Sequence, residues 1–113
     1  MTITGGKKMK VIYIQAHPFS VELLEITDTL EVYQHLVGGW IEVVHAAGLL
    51  RYHSVMVVNE EGVLLDLPVN PLASMLYGEY IAGDAVIVGR SGPEFTDIPD
   101  GLAEILLEFG GRK

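Results

Sequence analysis

The run Ala85–Gly89, AVIVG, constrains this chain more than any other segment. Five small or apolar residues opened by the turn pair Gly83–Asp84 are too few for an ordinary helix and carry no polar face, so they read as a strand in the middle of a sheet. A central strand needs partners. Lys10–Gln15 supplies one: it is β-branched and aromatic, and it ends at His17–Pro18, where proline restricts the residue before it. Val21–Ile26 follows as the second arm of a hairpin. Trp40–Ala46 alternates apolar with polar or small residues around Glu42 and breaks at Ala47–Gly48. The strongest hairpin signal is Val55–Val58, the turn Asn59–Glu60–Glu61–Gly62, then Val63–Leu67; glycine there tolerates positive φ, and Val57 and Leu65 would face one core.

Two segments have helical periodicity instead. Asp28 with Glu31 three residues later has the spacing of a capping box, Gly38 supplies a stop, and Leu30, Tyr33 and Val37 form an apolar stripe. Asp100–Phe109 places Leu102, Ile105, Leu106 and Phe109 on one face, Glu104 and Glu108 on the other, and stops at Gly110–Gly111. Pro68–Tyr80 reads as irregular cover for the sheet, with at most a helical turn at Leu72–Leu76, and Ser91–Pro99 reads as a loop. No βα unit repeats, which predicts an α+β fold: a single mixed or antiparallel β-sheet of about five or six strands flanked by two helices. Residues 1–8, with Gly5–Gly6, read as a flexible leader, Met9 as an alternative start, and 9–113 as one domain.

At 113 residues and 50% hydrophobic content the chain suits one core, not two. Its net charge of -8 is unevenly laid out: Lys7, Lys8, Lys10, Arg112 and Lys113 lie at the ends, only Arg51 and Arg90 lie between them, and all fifteen carboxylates fall in that middle stretch. Such a body argues against binding duplex nucleic acid, which is held by neutralising phosphates, and against anionic membrane surfaces. The absence of cysteine fits a reducing cytosol. Val11–Ile14 is too short for a signal-peptide core or a membrane span.

Motifs that dictate a chemistry are missing. There is no nucleophile elbow, Ser-x-x-Lys, thiol or glycine-rich phosphate loop, so the expectation is no catalytic residue, no cofactor and no enzyme activity. His17, His35, His45 and His53 match no metal-ligand spacing and read as surface or capping histidines. Glu60–Glu61 sits in a turn, where carboxylates are usually solvated, and Asn59 there favours a local bond to the backbone. Glu42, in an otherwise apolar strand, is expected to be partly buried with a partner. What remains is a set of aromatic and cationic loop residues, Trp40, Tyr52, Tyr77 and Tyr80 with Arg51 and Arg90. Such groups stack on a base and hold a phosphate, or else pack in the core and pair with carboxylates.

The motifs LVGGWIEVV (Leu36–Val44), VVNEEGVLLDLPVN (Val57–Asn70) and YIAGDAVIVG (Tyr80–Gly89) resemble a family of phage and bacterial proteins known as domain of unknown function 3846, over about residues 9 to 109. The resemblance singles out Gly38, Gly39, Glu42, Asn59, Glu60, Gly62, Pro68, Asn70 and Gly83, and brings no catalytic role with them. Pro71 stands where the family often has a basic residue. The phage association implies a role against host defence. The first expectation is a sponge, a homo-oligomer in the host cytosol that binds a cyclic or modified nucleotide signal without cleaving it, through Trp40, Arg51, Tyr52, Asn59, Glu60, Asn70, Tyr77, Tyr80 and Arg90. The alternatives are an acidic, DNA-mimicking inhibitor of a host nuclease or restriction enzyme, steered by its field, and an accessory or assembly domain.

Overall fold

A computed structural model describes residues 6–111. The expected leader falls largely on residues 1–5, outside that range, and the first strand begins at Lys8. The strands are β1 (Lys8–Gln15), β2 (Ser20–Thr27), β3 (Ile41–Val44), β4 (Ser54–Asn59), β5 (Ala85–Ser91) and β6 (Glu94–Thr96). The helices are α1 (Leu30–Val37), α2 (Pro71–Tyr77) and α3 (Asp100–Phe109), with a 3-10 helix at Ala47–Tyr52. All strands join one antiparallel sheet in the order β2-β1-β5-β4-β3, with β6 paired to the end of β5. The α+β reading holds, and AVIVG is indeed the central strand. It pairs with β1 on one side, through Ile12↔Ile87 and Ile14↔Ala85, and with β4 on the other, through Val58↔Ala85 to Ser54↔Gly89.

Side-chain alternation divides the core into two layers. Ile12, Ile14, Met56, Val58 and Ile87 face α2, α3 and the 3-10 helix, meeting Leu49, Leu72, Leu102 and Leu106. Met9, Val11, Val55, Val57, Val86 and Val88 face the other way, onto Tyr33 and Val37 of α1 and Phe95 of β6. Tyr33 and Phe95 meet edge to face, ring centroids 5.5 Å apart at 73°.

Several local expectations give way to tertiary partners. Val63–Leu67 is not a strand: it winds through turns, with Leu65 N–H donating to Glu61 O at 2.9 Å, Leu67 N–H to Gly62 O at 3.0 Å, and Asp66 at φ 55°. Both edges of β4 are already taken, by β3 and by β5, so the hairpin partner has no ladder to join. Leu65 is exposed rather than facing the core with Val57. The cap of α1 is Thr29, whose hydroxyl accepts from Val32 N–H at 3.3 Å; Asp28 is wholly buried and accepts from the Tyr33 hydroxyl instead. Leu30 is left exposed. There is one α-helix more than expected, because Asn70 caps α2 and Pro71 opens it at a position that needs no N–H. Glu94–Thr96, read as loop, pairs with Gly89–Ser91 beyond the reach of β1.

Candidate functional site

The motifs that carry the family resemblance come from four separated stretches and meet at one end of the sheet. Ile41 at the start of β3 pairs with Asn59 at the end of β4, and Val58 pairs with Ala85 at the start of β5, so 38–42, 59–62, 68–70 and 81–84 become neighbours. Most of their residues build the end itself. Asn59 Nδ2 donates to Val37 O at 3.1 Å, and its Oδ1 accepts from Glu61 N–H at 2.7 Å. Asn70 is fully buried; its Oδ1 accepts from Ala73 N–H at 3.1 Å while its Nδ2 donates to Ile14 O at 3.1 Å and Gly83 O at 3.0 Å. A Cβ on Gly62 would lie 2.3 Å from the Ala82 carbonyl oxygen, so only glycine allows that approach.

Some side chains of these motifs are not spent on the fold, among them two carboxylates at one cleft. Glu42 and Glu60 are exposed, and neither carboxylate has a hydrogen bond or ion pair among the described residues. Glu42 was expected to be partly buried with a partner; facing the rim of the sheet beyond Val58, it has neither. Both carboxylates line a cleft of about 150 Å³ with Asn59, Tyr77 and Tyr80, floored by Val44, Val58 and Ile81. Tyr77 is half-buried at the end of α2 and Tyr80 is 61% exposed in the loop after it. The cleft is therefore lined by two tyrosines and two carboxylates that accept but do not donate, groups that suit a flat ring with N–H donors.

The nine expected ligand residues do not form one site. Asn59, Glu60, Tyr77 and Tyr80 share the cleft, and Trp40 lies beside it, its carbonyl accepting from Glu60 N–H at 2.8 Å while its 65% exposed ring borders a shallow hollow with Gln34 and Gly39. Asn70 is at the same end but is spent on the fold. Arg51, Tyr52 and Arg90 lie at the opposite end, past the start of β4, and the Ser54–Asn59 strand alone separates the ends by about 16 Å. There the Arg51 guanidinium sits 5.5 Å from the Tyr52 ring centroid. Tyr77, Tyr80 and Trp40 are thus parted from both arginines by the length of a strand, and only Tyr52 stays with them.

A wider hollow of about 360 Å³, which sequence reasoning missed, lies on the other face of the same end, bordered by Tyr13, His17, His35, Gly83 and Asp84. Its inner polar atoms are already satisfied: Asp84 accepts from the Tyr13 hydroxyl at 2.5 Å and from Ala16 N–H at 2.8 Å. Burial, and then the Asp84 carboxylate, push the Tyr13 phenol well above its usual range. That pair locks β1 to the start of β5. No signal in the sequence joins residues 13 and 84 except the turn chemistry of Gly83–Asp84.

Among the described residues no group of three or more His, Cys, Asp or Glu side chains is placed to hold a metal ion, and no helix is long and apolar enough to cross a membrane. No curated protein matches the sequence. The crystal structure of the small RNA methyltransferase HEN1 superimposes with a TM-score of 0.65 at 16% identity, over 89% of this chain and 16% of that one. This is a likeness of fold, and the chain spans about a sixth of that protein. A family model described as Domain of unknown function (DUF3846) matches residues 9–110, and the chain belongs to that family.

Proposed function

We propose that this protein is a sponge: it binds a nucleotide-type signal, cyclic or modified, and withholds it without cleaving it. The observation that carries the reading is the cleft in which Tyr77 and Tyr80 stand with the unpartnered carboxylates Glu42 and Glu60. Tyrosine faces stack on any base, and a carboxylate accepts from ring N–H and amino groups of a purine edge. At about 150 Å³ the cleft takes one base and not a whole nucleotide, since small-molecule sites usually enclose about 300–1,000 Å³. The phosphates must then lie outside it, and Arg51 and Arg90 reach them only from a second copy. The reading therefore requires a homo-oligomer, and the phage association of the family suggests a part in immune evasion inside the host cytosol.

The protein is incubated with a panel of cyclic di- and trinucleotides and ADP-ribose derivatives, its melting temperature followed, and the bound material recovered after denaturation. A sponge shows a thermal shift with a member of the panel and returns that ligand intact. Altered product means an enzyme, and no shift with any member sinks the proposal.

A second reading, an acidic inhibitor of a host nuclease, draws on one observation at the same end. Val63, Leu64 and Leu65 are 66%, 84% and 54% exposed between Glu60–Glu61 and Asp66. Apolar side chains ringed by carboxylates suit a cationic protein partner. It predicts salt-sensitive inhibition of a nuclease that Leu64→Asp abolishes while nucleotide binding is untouched.

A further inference from the structure

At the end of the sheet away from the cleft, three cationic or protonatable side chains from three elements line one hollow of about 160 Å³: His45 after β3, His53 after the 3-10 helix, and Arg90 in β5. We propose that this hollow is a binding site for a phosphate group, free or as a phosphate ester, that fills whether or not the base cleft is occupied. Four features carry it.

The hollow has no carboxylate among its lining residues, although the chain holds fifteen. In so acidic a protein an arginine would ordinarily find an acidic neighbour. The Arg90 side chain has no ion pair or hydrogen bond among the described residues, so its fork of donors is free to take a phosphate bidentately.

The backbone that presents these groups is fixed. His53 holds a left-handed conformation, φ 51°, with its N–H directed to the Leu49 and Leu50 carbonyls as the cap of the 3-10 helix. Its own carbonyl accepts from Arg90 N–H at 2.8 Å, so His53 and Arg90 are tied together through the main chain. That cap holds the His53 main chain in one conformation beside Arg90.

The size and the walls agree with the charge. A volume of about 160 Å³ corresponds to roughly five waters, room for a phosphate and part of its hydration. Leu50 and Val55 add apolar surface to the lining. The Ser54 hydroxyl is committed as a donor to Tyr52 O at 3.0 Å, so the anion is left to the imidazoles and the guanidinium.

The full-length protein is titrated with inorganic phosphate and, separately, with adenosine monophosphate, while the imidazole resonances of His45 and His53 are followed by NMR. Saturable shifts of both, weakened at least tenfold in Kd by Arg90→Gln and less by Arg90→Lys, which keeps the charge but loses the fork, support the site; tighter binding of the ester than of phosphate identifies the ester as ligand. Arg90 is exposed, so both variants should fold. The shifts with inorganic phosphate must persist in Tyr80→Ala, which separates this site from the base cleft. Shifts that never saturate, or that Arg90→Gln leaves unchanged, overturn it.

Discussion

The hydroxyl of Tyr33 donates to the Asp28 carboxylate at 2.9 Å, with both residues wholly inaccessible to solvent. The pair joins the start of α1 to the core layer beneath it, where Tyr33 meets Phe95. Replacing Tyr33 by Phe keeps the ring and removes one donor from a buried carboxylate. A hydrogen bond to a charged group contributes about 1.5–3 kcal/mol, so Tyr33→Phe is expected to lose about 2 kcal/mol in urea unfolding. A loss no larger than that of an exposed substitution would show that the bond contributes little.

The same pair sets an alkaline limit. Burial first, and then the bond to Asp28, raise the Tyr33 phenol far above its ordinary value of about 10, and Tyr13 is raised in the same way beside Asp84. The folded protein therefore holds protons that the unfolded chain releases. Stability is fully present below about pH 10 and falls as the pH rises beyond it. Denaturation midpoints measured from pH 8 to 11 should decline only at the top of that range, and Tyr33→Phe should flatten the decline.

Asn70 combines three bonds in one buried amide. Asn70→Ala removes a helix cap, costing about 1 kcal/mol, and leaves the Ile14 and Gly83 carbonyls without their donor, for a total of about 3 kcal/mol. Asn70→Ser keeps a capping oxygen and should fall between alanine and the wild type. If serine and alanine melt together, the cap contributes nothing and the strand-end bonds carry the whole effect.

Gly62 and Gly101 form a contrasting pair. Alanine at 62 meets the Ala82 backbone, which cannot swing aside, and should destabilise by about 1–3 kcal/mol. Alanine at 101, inside α3 with nothing within 4 Å of its Cβ, should stabilise by about 0.5 kcal/mol. Calorimetry on the two variants checks the sign of each.

Glu42 and Tyr80 should behave as binding residues rather than structural ones. Glu42→Gln and Tyr80→Ala are expected to change stability by no more than about 0.5 kcal/mol, because both side chains are exposed. Affinity for the nucleotide that shifts the wild-type melting temperature should fall by about 1–3 kcal/mol on loss of the Tyr80 ring. A drop in melting temperature without a loss of affinity would move both residues back into the fold.

Much of the architecture is written locally. A run with no polar face, such as Ala85–Gly89, is buried on both sides wherever it lands, and Asp100–Phe109 keeps its boundaries, although only Leu102 and Leu106 of its expected stripe are buried, with Ala103, while Ile105 and Phe109 stay exposed. Partner choice is not local. Val63–Leu67 has the composition of a strand, yet β3 and β5 hold both edges of β4, and which strand wins an edge depends on the packing of the whole sheet.

The site divides in the same way. Asn59 reads from sequence as a turn residue with a bond to nearby backbone, and its Oδ1 bond to Glu61 N–H is two residues long. Its other bond, to Val37 O, spans twenty-two residues and exists only because α1 ends above β4. The sequence by itself determined which residues are aromatic, acidic or cationic and which segments are extended. Only the tertiary structure decided that Tyr77 and Tyr80 would join Glu42 and Glu60 while Arg90 joined His45 and His53, because an antiparallel sheet places successive strand ends at opposite poles of the molecule.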